Sequence, residues 1–381
     1  MHTAAPLIAV VAGETSGDLL GAGLIREIRK QIPDARFCGV GGRKMEAESC
    51  EILYDMERIG VMGLDGLMEK LFDILRIRKD LYRRFSDQQP DVFVGIDVPD
   101  FNLPLELKLK NQGIKCVHYV SPTVWAWRGY RIHKIKRSIH HMMTLFPFEA
   151  DYYRQHGVPV TFVGHPMADE IQPRDKLEMR HEMGIEGNTV IALLHGSRSS
   201  EVKRLTRLLM DSARGILRQI PDSQFVIPMA SEKTRRVFDE HCGDIDDLPI
   251  KIVDGQAREV MQASDMAIIA SGTAALEAAL ARCPHVVIYR LSRFSEWLAK
   301  KLSHVKHYSM SNHLLPAPVI PEFVSRHDAI PENIVHASLE MLNDEDKRRT
   351  LVSQFEDIHL RLQKNASFTA AQTVIKAMSA T

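Results

Sequence analysis

Short β-branched runs alternate with helix-favouring segments along nearly the whole chain, and they do so in two successive series. LIAVVAG, RFCGVGG, VFVGI, KCVHYVS, MMTLF and VTFVG form the first; TVIALLHGSR, QFVIPMA, IKIVDG, DMAIIASG and HVVIYR form the second, which begins after Gly164–Glu170. Continuous apolar runs of this length belong to strands covered on both faces, and the helical segments between them are long enough to cross over and make the pairing parallel. At 381 residues the chain exceeds one typical core. The expected fold is α/β: two doubly wound Rossmann-like domains with a cleft between them. Their bounds are 1–168, with a C-terminal helix at about 355–381 crossing back to it, and 169–354. Gly164-His165-Pro166 is the expected hinge.

Composition removes several function classes. Lys+Arg and Asp+Glu balance at 49 each, so no global field draws the chain to nucleic acid. The five cysteines lack any CxxC spacing and no HExxH pattern occurs, which argues against a disulfide framework and against a metal site. The first apolar run is short, has no Lys or Arg before it and ends in a glycine turn, so it reads as a strand and not as a signal peptide. No window approaches the roughly 20 apolar residues of a membrane span. The expected location is the cytoplasm, or a membrane face.

Ligands of doubly wound sheets bind beyond the C-terminal strand ends, where the polar motifs of this chain fall. In DMAIIASGTAALEAALA, Asp265 to Ala281, an apolar strand stops at Ser271-Gly272 and a helix begins at once. The first turn of such a helix carries unpaired N–H groups and the positive end of the macrodipole, and Gly272 lets an anion approach the backbone. Glu277 follows one turn further in, placed to accept hydrogen bonds from hydroxyls such as those of a ribose. LLHGSRSSEV repeats the pattern with Ser197 and Arg198 in the loop, and a guanidinium forks onto phosphate oxygens. In the first series, VFVGI runs straight into Asp97, with Asp100 three residues on; a carboxylate at a buried strand end is where a general base belongs. Glu14, Ser16 and Asp18 follow the first strand, either capping its helix or lining the mouth of the sheet.

Two segments are more greasy than a surface requires. Leu64, Leu67, Met68, Leu71, Phe72 and Leu75 form one stripe at helical spacing, followed by Arg76, Arg78 and Lys79, which suits either a core face or a helix lying on anionic lipid. Trp125 and Trp127 stand beside Arg128, Arg131 and Lys134, a pairing that fits a membrane interface or an anionic, apolar ligand.

Taken together and in order, VAGETSGDLLGAGLI, FVGIDVPDFN, HYVSPTVWAWR, FPFE, FVGHPMAD, GSRxxEV and IASGTAALE resemble the lipid A disaccharide synthase family, from about Ile8 through the Glu322 region and on to the C-terminus. The resemblance implies an inverting glycosyltransferase of the GT-B fold that needs no cofactor. It would join UDP-2,3-diacylglucosamine to 2,3-diacylglucosamine 1-phosphate (lipid X) through a β-1,6 linkage and release UDP. It implies UDP binding by Ser197, Arg198, Glu201, Ser271, Gly272, Thr273, Ala274, Glu277 and Asn312, and catalysis by Asp97 or Asp100. It implies acceptor contacts at Glu14, Ser16, Gly17, Asp18, Ser121, Trp127 and Arg128, and membrane contact by the Leu64–Leu75 stripe on the inner face of the inner membrane. An anionic membrane surface is thus an expected partner; a homodimer is left open. Two positions depart from the family pattern: His195 stands where many members have Pro, and Ser311 stands where a Pro usually precedes the Asn. A UDP-sugar epimerase of the same architecture, or a non-catalytic nucleotide- or lipid-binding module, are the alternatives; neither would need both lipid contact and a general base at Asp97.

Overall fold

The computed structural model describes residues 5–60, 67–126, 129–290 and 307–379, with side chains in the helix Leu67–Gln88 described from Leu71 onward. The chain forms two compact units, Met1–Asp169 with Leu362–Thr381, and Glu170–Arg361.

The first unit is built on a parallel sheet of β1 (Leu7–Ala12), β2 (Arg36–Gly41), β3 (Glu51–Asp55), β4 (Val92–Ile96), β5 (Lys115–Tyr119), β6 (His141–Thr144) and β7 (Val160–Phe162). Their order is β3-β2-β1-β4-β5-β6-β7. The chain winds outward from β1 in one direction and from β4 in the other, so the topological switch lies between β1 and β4. Both strands are wholly or almost wholly buried, as their uninterrupted apolar sequences require. The first helix begins at Thr15 and runs to Gln31, packing against the last helix, Ala366–Ser379. On the sheet, Phe93, Ala9 and Val11 meet Ile77, Leu81 and Phe85 of the helix Leu67–Gln88, and Phe101, Leu105 and Leu109 of the helix Pro99–Lys110. The last helix is anchored by Asp169, whose carboxylate accepts from the backbone N–H groups of Asn365 and Ala366 at 2.9 and 2.6 Å. Gly164 permits that approach, since a Cβ there would lie 2.6 Å from the Leu362 carbonyl oxygen.

The second unit carries β8 (Thr189–Leu194), β9 (Ser223–Met229), β10 (Ile250–Asp254), β11 (Met266–Ala270), β12 (His285–Ile288) and β13 (Glu322–Phe323), all parallel, in the order β10-β9-β8-β11-β12-β13. Its switch falls between β8 and β11, the strands that end in the two Gly-Ser-type loops. Among the described residues, no helix is long and apolar enough to cross a membrane, and no group of three or more His, Cys, Asp or Glu side chains is arranged to hold a metal ion.

Candidate active site

In the second unit a cavity of about 380 Å³ opens at the switch point. The helix Thr273–Leu280 starts at its wall. Its N-cap, Gly272, has φ 154°, ψ −154° and supplies no side-chain cap. A Cβ on Gly272 would meet nothing within 4 Å, so the glycine answers to the backbone angle and leaves the first turn open toward the cavity. Ser271, Thr273 and Ala274 line the same wall.

Across the switch, β8 ends in His195, Gly196, Ser197 and Arg198. Gly196 has φ 97°, and a Cβ there would lie 2.3 Å from Glu201 Oε2, so the turn can be made only by glycine. Glu201 lines the cavity too, and its carboxylate accepts the Arg198 backbone N–H at 3.2 Å, closing the first turn of the helix Ser199–Gln219. The Arg198 side chain is 80% exposed and only loosely paired with Glu201, at 3.7 Å, so it is available to an anion. Glu277 lies deeper, half-buried. Burial raises its pKa above the ordinary glutamate value, opposed by the Arg258 guanidinium, whose Nε is 3.5 Å from Oε1.

The cavity is completed by groups absent from the sequence expectations: Pro228 and Met229 at the end of β9, Ala230 just after it, and Gly255 and Ala257 after β10; Arg258 pairs with Glu277. The strand ends QFVIPMA and IKIVDG were the available signal, since β9 adjoins β8; nothing in their composition marks them as ligand contacts. Asn312 is not among the lining residues. Its amide Nδ2 donates to Ile320 O and Glu322 Oε1 at 2.9 and 2.7 Å, and its Oδ1 accepts from Ile320 N at 3.0 Å, pinning the 312–322 loop.

The first unit places its polar candidates along the rim of its own sheet. Asp97 follows β4 directly and is half-buried, with φ 54°; its N–H donates to the Tyr119 carbonyl at 2.9 Å. Asp100 differs sharply: its side chain is 76% exposed and bonded to Arg131 at 2.6 Å. Glu14 and Ser16 are exposed at the end of β1, and Gly17 is buried in the first helical turn. The Asp18 carboxylate is engaged structurally. It is buried and accepts the backbone N–H groups of Gly42, Lys44 and Met45 at 2.8, 3.0 and 3.1 Å, capping the helix Arg43–Ala47. Ser121 sits in a buried cluster, its hydroxyl 3.1 Å from the Tyr153 hydroxyl. Beside it Glu149 accepts from Trp125 Nε1, and burial pushes Glu149 up to about 8. Trp127, Arg128 and Leu64 lie outside the described residues, as do the side chains of Leu67 and Met68. Of the stripe, Leu71, Phe72 and Leu75 are 50, 67 and 42% exposed, while Ile77, Leu81 and Phe85 of the same helix hold it to the core.

Two parallel Rossmann-like sheets, the second carrying an uncapped helix N-terminus over its switch-point cavity, define the GT-B class. Solved structures agree on the fold. The chain matches Acinetobacter baumannii MurG with a TM-score of 0.60 at 14% identity, over 98% of this chain and 99% of that one. It matches a Neisseria meningitidis UDP-GlcNAc 2-epimerase bound to UDP-GlcNAc with a TM-score of 0.58 at 14% identity, over 97% and 100%.

Sequence relatives narrow the class. Residues 8–377 match the family described as lipid-A-disaccharide synthetase. The chain is 42% identical over 374 residues to the lipid-A-disaccharide synthase of Methylobacillus flagellatus (97% of this chain, 99% of that protein). It is 44% identical over 372 residues to that of Pectobacterium carotovorum (97% of each). The chain belongs to the lipid-A-disaccharide synthase family and is a glycosyltransferase.

Proposed function

We propose that this chain transfers 2,3-diacylglucosamine from its UDP conjugate to the 6-hydroxyl of 2,3-diacylglucosamine 1-phosphate, with the second unit holding the donor and the first the acceptor. The observation that carries the donor half is the cavity between the Ser197-Arg198 loop and the open helix N-terminus at Gly272. The diphosphate sits on the first-turn N–H groups with Arg198 across it, and Glu277 accepts from ribose hydroxyls. Asp97 removes the proton from the acceptor hydroxyl as its oxygen attacks the anomeric carbon. The bond from that carbon to the diphosphate breaks on the opposite face, the configuration inverts, and UDP departs with its charge stabilised by the helix N-terminus and Arg198. Asp97 is preferred to Asp100 because the latter is exposed and already paired with Arg131.

Lipid substrates require a surface. Extracting one chain of about a dozen carbons into water costs on the order of 10 kcal/mol at ~0.8 kcal/mol per CH₂. The exposed Leu71, Phe72 and Leu75 support contact with an anionic bilayer, and the proposed location is the inner face of the inner membrane. A single-turnover assay with both substrates in mixed micelles tests the reaction. Disaccharide formation that drops about 10²- to 10⁴-fold in Asp97→Asn, with UDP binding intact, supports it. No disaccharide from the native protein sinks it.

A further inference from the structure

Asp97 (φ 54°) and Val98 (φ 37°, ψ 59°) are consecutive residues in the left-handed region, at the end of a buried strand. For L-residues that conformation costs roughly 1–2 kcal/mol each. Val98 is β-branched and precedes Pro99, both of which make it less comfortable still. Such a turn persists only where its surroundings over-determine it.

Asn102 supplies that determination. It lies in the first turn of the helix Pro99–Lys110 and is 0% exposed. Its Nδ2 is 2.8 Å from the Asp97 carbonyl oxygen, 3.3 Å from that of Val11 and 3.4 Å from that of Ile96, so one amide gathers the ends of β1 and β4. The orientation is unambiguous, because the reverse would aim an oxygen at three oxygens. Asp97 is thereby held through both its main-chain groups, its N–H by Tyr119 on β5 and its carbonyl by Asn102. Gly95 makes the approach possible: a Cβ there would lie 3.0 Å from Asn102 Cβ and 2.3 Å from Glu106 Oε1. From the other side the Val98 methyl groups seat against Gly13, where a Cβ would meet them at 2.8 and 2.9 Å.

We propose that Asn102 is a positioning residue for Asp97: it never touches substrate, but its side-chain amide locks the left-handed Asp97-Val98 turn and so fixes the direction in which the Asp97 carboxylate leaves the strand. This rests on Asp97 being the base. Without the clamp the turn relaxes toward ordinary angles and the carboxylate shifts, and a displacement near 1 Å at a reacting group lowers the rate by about 10²-fold.

The test is a four-protein comparison of the full chain: native, Asp97→Asn, Asn102→Ala and the double variant, each measured for kcat, KM for the UDP-sugar, UDP affinity and Tm. Asn102→Ala should lower kcat by about 100-fold with KM and UDP affinity within about 2-fold. In the Asp97→Asn background it should add less than about 3-fold, because the two residues act as a unit. Asn102→Leu keeps the approximate volume but removes both donors, and should recover no activity; recovery would mean that only packing mattered. Asn102→Ser retains one donor and guards against a misfolded Ala variant; a kcat between native and Ala at native UDP affinity supports the clamp. Native kcat in Asn102→Ala, or a loss repeated in full in the Asp97→Asn background, overturns the proposal. Native kcat in Asp97→Asn alone instead removes the base itself, so the two failures are separable.

Discussion

The imidazole of His285 and the hydroxyl of Ser311 lie 3.0 Å apart, both fully buried. His285 Nδ1 is 2.9 Å from the Cys283 carbonyl and donates to it, which leaves Nε2 to accept from Ser311; burial pushes the histidine down to about 4, so it is neutral. The same loop is drawn in by Ser309 Oγ and Asn312 Nδ2, both donating to Glu322 Oε1 at 2.6 and 2.7 Å. Ser311, where the family resemblance led to the expectation of Pro, is thus one half of a buried pair. Replacing it with Pro is compatible with the first turn of a short helix but leaves Nε2 unpaired. Ser311→Pro should lower stability by about 1–3 kcal/mol, the range for an orphaned buried acceptor. An unchanged melting temperature would mean that the pair contributes nothing.

Gly272 offers a sharper test of the donor site. Space is not what excludes a side chain there, since nothing lies within 4 Å of a Cβ; the φ of 154° is. Gly272→Ala must rotate the backbone that presents the first helical N–H groups. UDP affinity should fall by about 10-fold or more, equivalent to ~1.4 kcal/mol, with Tm nearly unchanged. Calorimetric titration showing native UDP affinity would remove the helix terminus from the site.

Acid should destabilise the fold in a defined window. His165, His195 and His285 are each pushed down to about 4 by burial. In the unfolded chain each binds a proton below its ordinary value near 6.5. Stability is therefore complete above pH 6.5 and is lost as pH falls toward 4, by up to about 3 kcal/mol per histidine. His195 is the cleanest probe, because its Nε2 has no partner among the described residues and its ring packs edge-on to Phe238 at 5.2 Å. His195→Leu should shrink the drop in Tm between pH 7.5 and 5. A drop of native size in that variant would exonerate His195.

The outward face of the helix Leu67–Gln88 should be separable from its inward face. Leu71→Ser with Leu75→Ser removes exposed apolar surface and leaves Ile77, Leu81 and Phe85 in the core. Binding to anionic vesicles should weaken by at least about 10-fold while the melting temperature stays within a few degrees. A protein that fails to fold would show the stripe to be core after all.

Asp100→Asn is the companion to the Asp97 experiment. The Asp100–Arg131 pair is on the surface, where such contacts contribute at most about 1 kcal/mol. Turnover should stay within about 3-fold of native. A loss as large as that in Asp97→Asn would move the base assignment to Asp100.

The strand runs, the crossover segments between them and the glycine turns after β8 and β11 were all legible in the sequence, because each rests on local chemistry: β-branched apolar residues in strands buried on both faces, and glycine where the backbone demands it. The family followed from those same motifs. Of the four edge strands, β7 and β10 were legible as VTFVG and IKIVDG, but β3 and β13 were not; β3 (Glu51–Asp55) is only half-buried and β13 (Glu322–Phe323) spans two residues, so neither carries a continuous apolar run. Nor did the sequence say which polar residues are structural. Asp18 reads as a rim carboxylate until Gly42, Lys44 and Met45 are folded onto it, and Asn102 reads as an ordinary helix residue until the carbonyls of Val11 and Asp97 converge on its amide. Whether the Leu71–Leu75 stripe faces core or solvent was likewise undecided by its spacing, which a helix satisfies either way. Hydrogen-bond partners distant in the chain, and the face a helix turns outward, are properties of packing. Local sequence names the groups available for chemistry, and only the tertiary structure decides which of them remain unengaged.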